Sequence, residues 1–242
     1  MHIADLTCHK DLKKVFDTES PDVVLHLAGY KSVSESKTDP VKYYHNNLVS
    51  SLNLINICED LGVPMVFAST AAIYYGDNPY SKSKLIVEEV LADSKVNHII
   101  LRYFNVGGLL EEATPRQSGN VFDVIRSTVS SGAIFTAHKN SLKRDYTHIF
   151  DLAVVNAKAL EMACTGVTAK TYDVLSGVSY SLDDLLRVYA QEGCQIPFKY
   201  IDSQQEAEVS LKVTPFPYLH SLGIEDIIKS EIKHGLTRPY FS

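Results

Sequence analysis

Phe67 to Lys84 reads F-A-S-T-A-A-I-Y-Y-G-D-N-P-Y-S-K-S-K. It opens as the end of an apolar strand, Met65-Val66-Phe67, and passes through two adjacent hydroxyls, Ser69 and Thr70. It closes at the start of a helix that carries Tyr80 and, four residues on, Lys84. Residues at i and i+4 share one helix face. An ammonium beside a phenol favours the phenolate, so the spacing predicts a Tyr80 that serves as a base well below its free pKa of about 10. A hydroxyl at the strand's carboxyl end can bind the substrate oxygen whose proton moves. Tyr-x-x-x-Lys alone fits a surface tyrosine beside a solvated lysine equally well, so the surroundings decide.

Working outward, the same strand-to-helix texture repeats. Asp22 to Ala28, D-V-V-L-H-L-A, is a nearly continuous apolar run ending at Gly29, as expected of a parallel-sheet strand buried on both faces. Pro40 opens a helix to about Asp60, with Gly62 as its stop. Pro64 to Ala68 is the next strand, Tyr80 to about Ala92 the next helix, and Asn97 to Tyr103 another buried strand. Residues 1 to 5 read as a short strand end, and Lys10 to Phe16 as helix. This alternation predicts an α/β fold with a Rossmann-like doubly wound parallel sheet. In such sheets ligands sit at the carboxyl ends of the strands, where Asp5, Gly29, Thr70 and Asn105 fall.

After Asn105 the texture changes. A polar loop, 107 to 119, precedes a helix from Val121, a short strand Ala133–Thr136, and a helix to Ala163 for which Asp151 is a plausible N-cap. Thr171–Leu175 and Phe198–Ile201 read as strands, and Ser181 with Asp184 as a capping box. The reading divides the chain into a cofactor-binding part at 1–106 and a smaller mixed α/β C-terminal substrate lobe at 107–242, some segments of which return to the first part.

Composition bounds the function. Of 242 residues, 45% are hydrophobic, which suits one or two globular domains. A formal net charge of -6 and the lack of a basic cluster argue against nucleic acid as a partner. No stretch has the ~18 apolar residues of a membrane span, and the N-terminus has no signal-peptide pattern. The four cysteines, Cys8, Cys58, Cys164 and Cys194, form no C-x-x-C pair, so no metal site is expected. Cys58 and Cys164 sit in helical apolar patterns and read as buried thiols. A reducing cytoplasm fits.

Placed in order, the motifs resemble the UDP-glucose 4-epimerases, extended short-chain dehydrogenases/reductases of the NAD-dependent epimerase/dehydratase family. They are A-D-L near residue 5, D-V-V-L-H-L-A-G-Y-K-S-V-S-E-S at 22–36, Y-Y-H-N-N at 43–47, F-A-S-T-A-A-I-Y at 67–74, N-P-Y-S-K-S-K at 78–84, L-R-Y-F-N at 101–105 and R-D-Y-T-H-I-F-D-L-A at 144–153. The resemblance implies NAD as cofactor, a UDP-sugar as substrate, and interconversion of UDP-galactose and UDP-glucose in galactose metabolism through transient oxidation at C4. It implies catalytic roles for Tyr80 as base, Lys84 as ribose ligand and tuner of Tyr80, and Thr70 as ligand of the 4-oxygen. It further implies cofactor contacts from Asp5, Leu6, Leu27, Ala28, Gly29, Tyr30, Lys31, Asn46 and Phe104. Lys31, Asn105, Asn120 and Arg144 would meet the substrate. A homodimer through paired helices is also implied.

Plainer roles stay open for some of these. Asp5 fits a helix N-cap, Asn46 a surface amide, Lys31 a solvated cation, and Arg144 an ion pair with Asp145. His26 reads as a satisfied core histidine, and Tyr43 and Tyr44 as packing. Ala71-Ala72 stands where the related 4,6-dehydratases carry an acidic pair, which favours epimerisation.

Three features depart from the family pattern. No G-x-x-G-x-x-G turn precedes the chain's first glycine, Gly29. By analogy residues 1–5 are then the third strand of an N-terminally truncated sheet, and the strand at 22–28 is left with an apolar edge. Only Asp77, Asn78 and Pro79 separate Gly76 from Tyr80, a shorter link than in the family. The Asp202–Lys212 region has no arginine for a uridine ribose. A truncated or inactive homologue that acts as a binding protein is the alternative reading.

Overall fold

In the computed structural model, residues 2–110, 120–139, 142–167, 169–203, 211–219 and 222–236 are described. In chain order the elements are α1 (His9–Glu19), β1 (Val24–His26), α2 (Val33–Thr38), α3 (Pro40–Leu61), β2 (Met65–Thr70), α4 (Ala72–Tyr75), α5 (Pro79–Asp93), β3 (His98–Tyr103), β4 (Asn105–Gly107) and α6 (Val121–Ser131). They continue with β5 (Phe135–Lys139), β6 (Arg144–His148), α7 (Ile149–Cys164), β7 (Lys170–Val174), β8 (Ser179–Tyr180), α8 (Leu182–Gln191), β9 (Phe198–Ser203) and α9 (Ile224–Glu231). A π turn at Ile232–Leu236 follows α9. The chain forms two compact units.

The first unit comprises Met1–Tyr103, Val155–Asp173 and Leu211–Phe216. Its sheet has the order β1-β2-β3-β7, with β1, β2 and β3 parallel. All six residues of β2 are buried, as the uninterrupted run M-V-F-A requires of a strand covered on both faces. Helices α1, α3 and α5 cover one of those faces: Leu12, Phe16, Leu54, Cys58, Val87 and Leu91 join Met65 and Phe67 in one apolar core. Asp39 caps α3, Pro40 fills its first turn, and Gly62 ends it at φ +69, a left-handed conformation that costs glycine least.

Strand β1 departs from expectation. Only Val24–His26 is strand, Val24 and Leu25 are half-buried, and residues 27–31 are exposed. β1 is the sheet's edge among the described residues, so only one side of it is paired. Residues 2–5 form no strand. Asp5 instead accepts from the Thr7 amide at 2.9 Å and the Thr7 hydroxyl at 2.8 Å, closing a local turn before α1.

The second unit comprises Phe104–Val154, Val174–Ser210 and Pro217–Ser242. It holds a three-stranded sheet β4-β6-β8, parallel between β4 and β6 and antiparallel between β6 and β8, and a parallel pair β5-β9. Phe122, Ile125, Leu185, Tyr189, Ile227 and Ile228 form its core. Arg126, 4% exposed, makes ion pairs with Asp123 and with Glu231, and the Gly108 amide donates to Glu231 Oε1 at 2.9 Å. Removing one member of such a buried set strands the other charges.

Two further expectations change. Asp151 lies inside α7, and its carboxylate accepts from the Leu222 amide at 2.7 Å. Cys164 is exposed at the end of α7, whereas Cys58 is buried and its thiol is pushed up to about 12 by burial. The polar loop at 111–119 and residues 204–210 of the arginine-free segment lie outside the described residues.

Candidate functional site

The carboxyl end of β2 is held from two sides. The Ala71 amide donates to the Tyr103 carbonyl at 2.8 Å, and the Ala72 amide donates to Thr70 Oγ1 at 3.1 Å as α4 begins. Three residues after the end of α4, at Asn78, a capping box starts α5. Ser81 N donates to Asn78 Oδ1 at 3.0 Å, the Asn78 amide to Ser81 Oγ at 3.4 Å, and Pro79 occupies the first turn. Ser81 Oγ also donates to the Gly76 carbonyl at 2.6 Å. The short link is therefore a tight cap, and it sets Tyr80 in the first turn of α5, where the Thr70 side chain acts on the phenol. Both residues are buried, Thr70 at 8% and Tyr80 at 9% exposure. Asn78→Ala is expected to cost about 1 kcal/mol through loss of the cap, read as a lower unfolding midpoint in urea.

Lys84 lies one turn beyond Tyr80. Its Nζ donates to the Ala68 carbonyl at 2.9 Å and stands 4.7 Å from the centre of the Phe67 ring. Burial pushes its pKa down to about 8, opposed by the nearby Glu88 carboxylate. The Tyr80 phenol is raised by burial and lowered by the Thr70 side chain. Lys84 is not among the groups that shift it, so the expectation of a base drawn down by the adjacent ammonium is not met. The reason is geometric: the ammonium is spent on a strand carbonyl.

The turn after β1 reaches the same place. A Cβ on Gly29 would stand 3.6 Å from Lys84 Nζ and 3.2 Å from Asn47 Oδ1, at φ +154. Asn47 clasps the turn. The Tyr30 amide donates to its Oδ1 at 2.9 Å, and its Nδ2 donates to the Tyr30 carbonyl at 3.0 Å and to Ser83 Oγ at 3.1 Å. The predicted neighbour, Asn46, is half-buried and donates to Asn47 Oδ1 at 3.1 Å. Asn47, which holds the turn, was not singled out in the sequence; a helical count from buried Tyr43 to i+4 points to it. His26 is buried with Nε2 2.9 Å from Ser51 Oγ, and burial, then Lys84, hold its pKa down at about 3.

Thus Thr70, Tyr80, Lys84 and Gly29 come together in the first unit. Leu27, Ala28, Tyr30 and Lys31 are exposed beside them in sequence, Asp5 is exposed, and Leu6 packs against the core with its carbonyl held by Asn53 at 2.9 Å. In the second unit the Phe104 amide donates to the Val174 carbonyl at 3.2 Å, and Asn105 Nδ2 to the Asp145 carbonyl at 2.9 Å. Asn120 caps α6 and donates to the Val106 carbonyl at 3.2 Å. Arg144 is exposed on β6. The Asp145 carboxylate accepts from the Ser176 and Gly177 amides at 2.6 and 2.7 Å. Among the described residues no cluster of three or more histidine, cysteine or acidic side chains is placed to hold a metal ion, and no helix is long and apolar enough to cross a membrane.

The UDP-glucose 4-epimerase of Bacillus subtilis (strain 168) is 28% identical over 233 residues, covering 82% of this chain and 69% of its own length. That of Yersinia enterocolitica is 31% identical over 235 residues, covering 82% and 68%. A solved UDP-glucose 4-epimerase from Brucella ovis in complex with NAD has the same fold, with a TM-score of 0.86 at 21% identity over 97% of this chain and 84% of that one. The model of the NAD dependent epimerase/dehydratase family matches residues 1–174. A parallel sheet that brings a buried Thr–Tyr–Lys set to the end of its second strand, inside that match, leaves one assignment: this chain belongs to the NAD dependent epimerase/dehydratase family.

Proposed function

We propose that the chain catalyses NAD-dependent 4-epimerisation of a UDP-sugar, interconverting UDP-galactose and UDP-glucose. The observation that carries this reading is the buried set of Thr70 at the end of β2 and Tyr80 with Lys84 one helical turn apart on α5. The residues fit a dinucleotide. Gly29 has no side chain where a Cβ would crowd Asn47 and approach Lys84, and the adjoining turn is open. Gly29, Tyr30, Lys31, Asn46, Asn47 and Lys84 would hold NAD in the first unit, with Asp5, Leu6, Leu27, Ala28 and Phe104 as further contacts. When bound, NAD supplies the acceptor and then the donor of the C4 hydride.

The chain's own groups manage the proton and the orientation. Thr70 Oγ1 holds the sugar 4-oxygen. Tyr80 takes the 4-hydroxyl proton and returns it to the same oxygen after the 4-keto sugar has turned over. Lys84 lends positive charge beside the turn. Ala71 and Ala72 offer no carboxyl group for eliminating water, which favours epimerisation over dehydration. Asn105, Asn120 and Arg144 are assigned to the nucleotide diphosphate and uridine. The same reading places the protein in galactose metabolism, in the cytoplasm, and as a homodimer.

The test is UV absorbance and mass analysis of the purified chain, before and after addition of NAD. Near-stoichiometric NAD is expected. A chain that neither retains nor takes up NAD defeats the proposal and favours a binding protein.

A further inference from the structure

A second polar chain lies in the first unit, which the chemistry above does not use. Positions 80, 84 and 88 are successive i, i+4 steps along α5, so Glu88 follows Lys84 on one helix face. Glu88 is 5% exposed. Its Oε1 accepts from the Ser69 hydroxyl and from Arg102 Nε at 3.1 Å. Its Oε2 accepts from Arg102 Nε at 3.1 Å and Nη2 at 2.5 Å. Arg102 Nη1 donates to the Tyr74 hydroxyl at 2.6 Å, and that hydroxyl donates to Asp173 Oδ1 at 2.8 Å. Asp173 Oδ2 accepts from the Thr214 amide at 2.7 Å.

The arrangement has a mechanical consequence. Ala68 and Ser69 are adjacent near the end of β2, and each binds one residue of α5: Ser69 donates to Glu88, and the Ala68 carbonyl accepts from Lys84. Two attachment points four residues apart on one helix face hold the helix against the strand. Arg102 stands opposite Ser69 in the β2–β3 register, so the clamp also includes β3. A bidentate arginine–carboxylate pair adds geometric specificity as well as strength to such a clamp.

We propose that Glu88, clamped by Arg102 and Ser69, is a positioning residue for the Thr70–Tyr80–Lys84 site, fixing α5 against the end of β2 and setting a carboxylate one turn beyond Lys84. The inference rests on the epimerase reading for its effect on turnover, but not for its effect on Lys84. The charges around Lys84 support it. Burial lowers the Lys84 pKa and Glu88 opposes that shift. His26, on β1, is kept uncharged near neutral pH by burial, and Tyr80, on α5 itself, by its raised pKa.

The test compares wild type with Glu88→Gln, which keeps partners for Ser69 and Arg102 while removing the charge. Lys84 titration is read by NMR on carbon-13-labelled lysine, and kcat and KM for UDP-galactose are measured from pH 6 to 10. In Glu88→Gln, Lys84 is expected to titrate lower by on the order of one pH unit, with the alkaline limb of kcat moving the same way. A kcat loss of roughly tenfold or more, with KM within about threefold, marks displaced chemistry rather than lost binding. If Glu88→Gln fails to fold, the double variant Glu88→Gln/Arg102→Met, which leaves no arginine without its carboxylate, decides by the same readings. An unchanged Lys84 titration with an unchanged kcat profile in a folded variant overturns the proposal. Wild type that lacks turnover defeats the epimerase reading instead, and the Lys84 titration still decides the role of Glu88.

Discussion

Replacing Tyr80 by phenylalanine is expected to lower turnover of UDP-galactose by roughly a thousandfold or more while leaving the fold intact. The magnitude follows from removing the one group placed to move the 4-hydroxyl proton, an effect typically of about 10²–10⁴. The structural cost is small because the ring stays in place, edge-on to Tyr43 at 6.4 Å, and only the hydroxyl's own polar contact, worth about 1 kcal/mol, is lost. Burial raises the Tyr80 phenol, so it is protonated at neutral pH and the wild-type kcat should rise with pH on its acid side. Steady-state assays with a urea unfolding curve separate the two effects. Turnover within tenfold of wild type would remove Tyr80 as the base.

Lys84→Met is expected to trade activity for stability. Lys84 has a folded pKa of about 8 against an ordinary 10.5. Below pH 8 the folded chain holds a buried ammonium that it disfavours, at a cost of roughly 3 kcal/mol by the conversion of a pKa shift into free energy. The unfolded chain binds the proton more tightly, so wild-type stability rises as pH goes from about 8 to about 10.5. Methionine removes the penalty, fills similar volume, and gives up the hydrogen bond to Ala68, worth about 1 kcal/mol. The net expectation is a stabilisation of roughly 1–2 kcal/mol at pH 7, with the alkaline rise between pH 8 and 10.5 reduced and turnover lost. Urea unfolding at pH 7 and 9.5 checks it. A variant less stable than wild type at pH 7 would show that the ammonium is held at no cost.

Much of the fold can be read from local signals. M-V-F-A announces a strand covered on both faces, Gly62 a helix stop, and Ser181 with Asp184 a capping box, and each is where its chemistry puts it. The failures share a cause: each depends on what lies across space. D-V-V-L-H-L-A has the composition of a buried strand, but β1 is paired on one side and its end is exposed. Cys164 follows an apolar helical pattern yet falls on the exposed side of the last turn of α7. The Tyr80–Lys84 spacing fixes a shared helix face but not the direction of a flexible ammonium, which Ala68 captures. Asn47 was within reach of a helical count. The Glu88–Arg102 clamp joins α5 to β3 and has no signature in local periodicity.

The central claim is that the hydride removed from C4 returns to C4 on the other face, with Tyr80 handling the proton. The most direct measurement is to incubate the chain with NAD and UDP-galactose deuterated at C4 in ordinary water, and to read the label in UDP-glucose by mass spectrometry and NMR. The account predicts UDP-glucose that keeps the deuterium at C4, and no product from the Tyr80→Phe chain. Product whose C4 deuterium has exchanged with water, or no conversion by the wild-type chain, would contradict it.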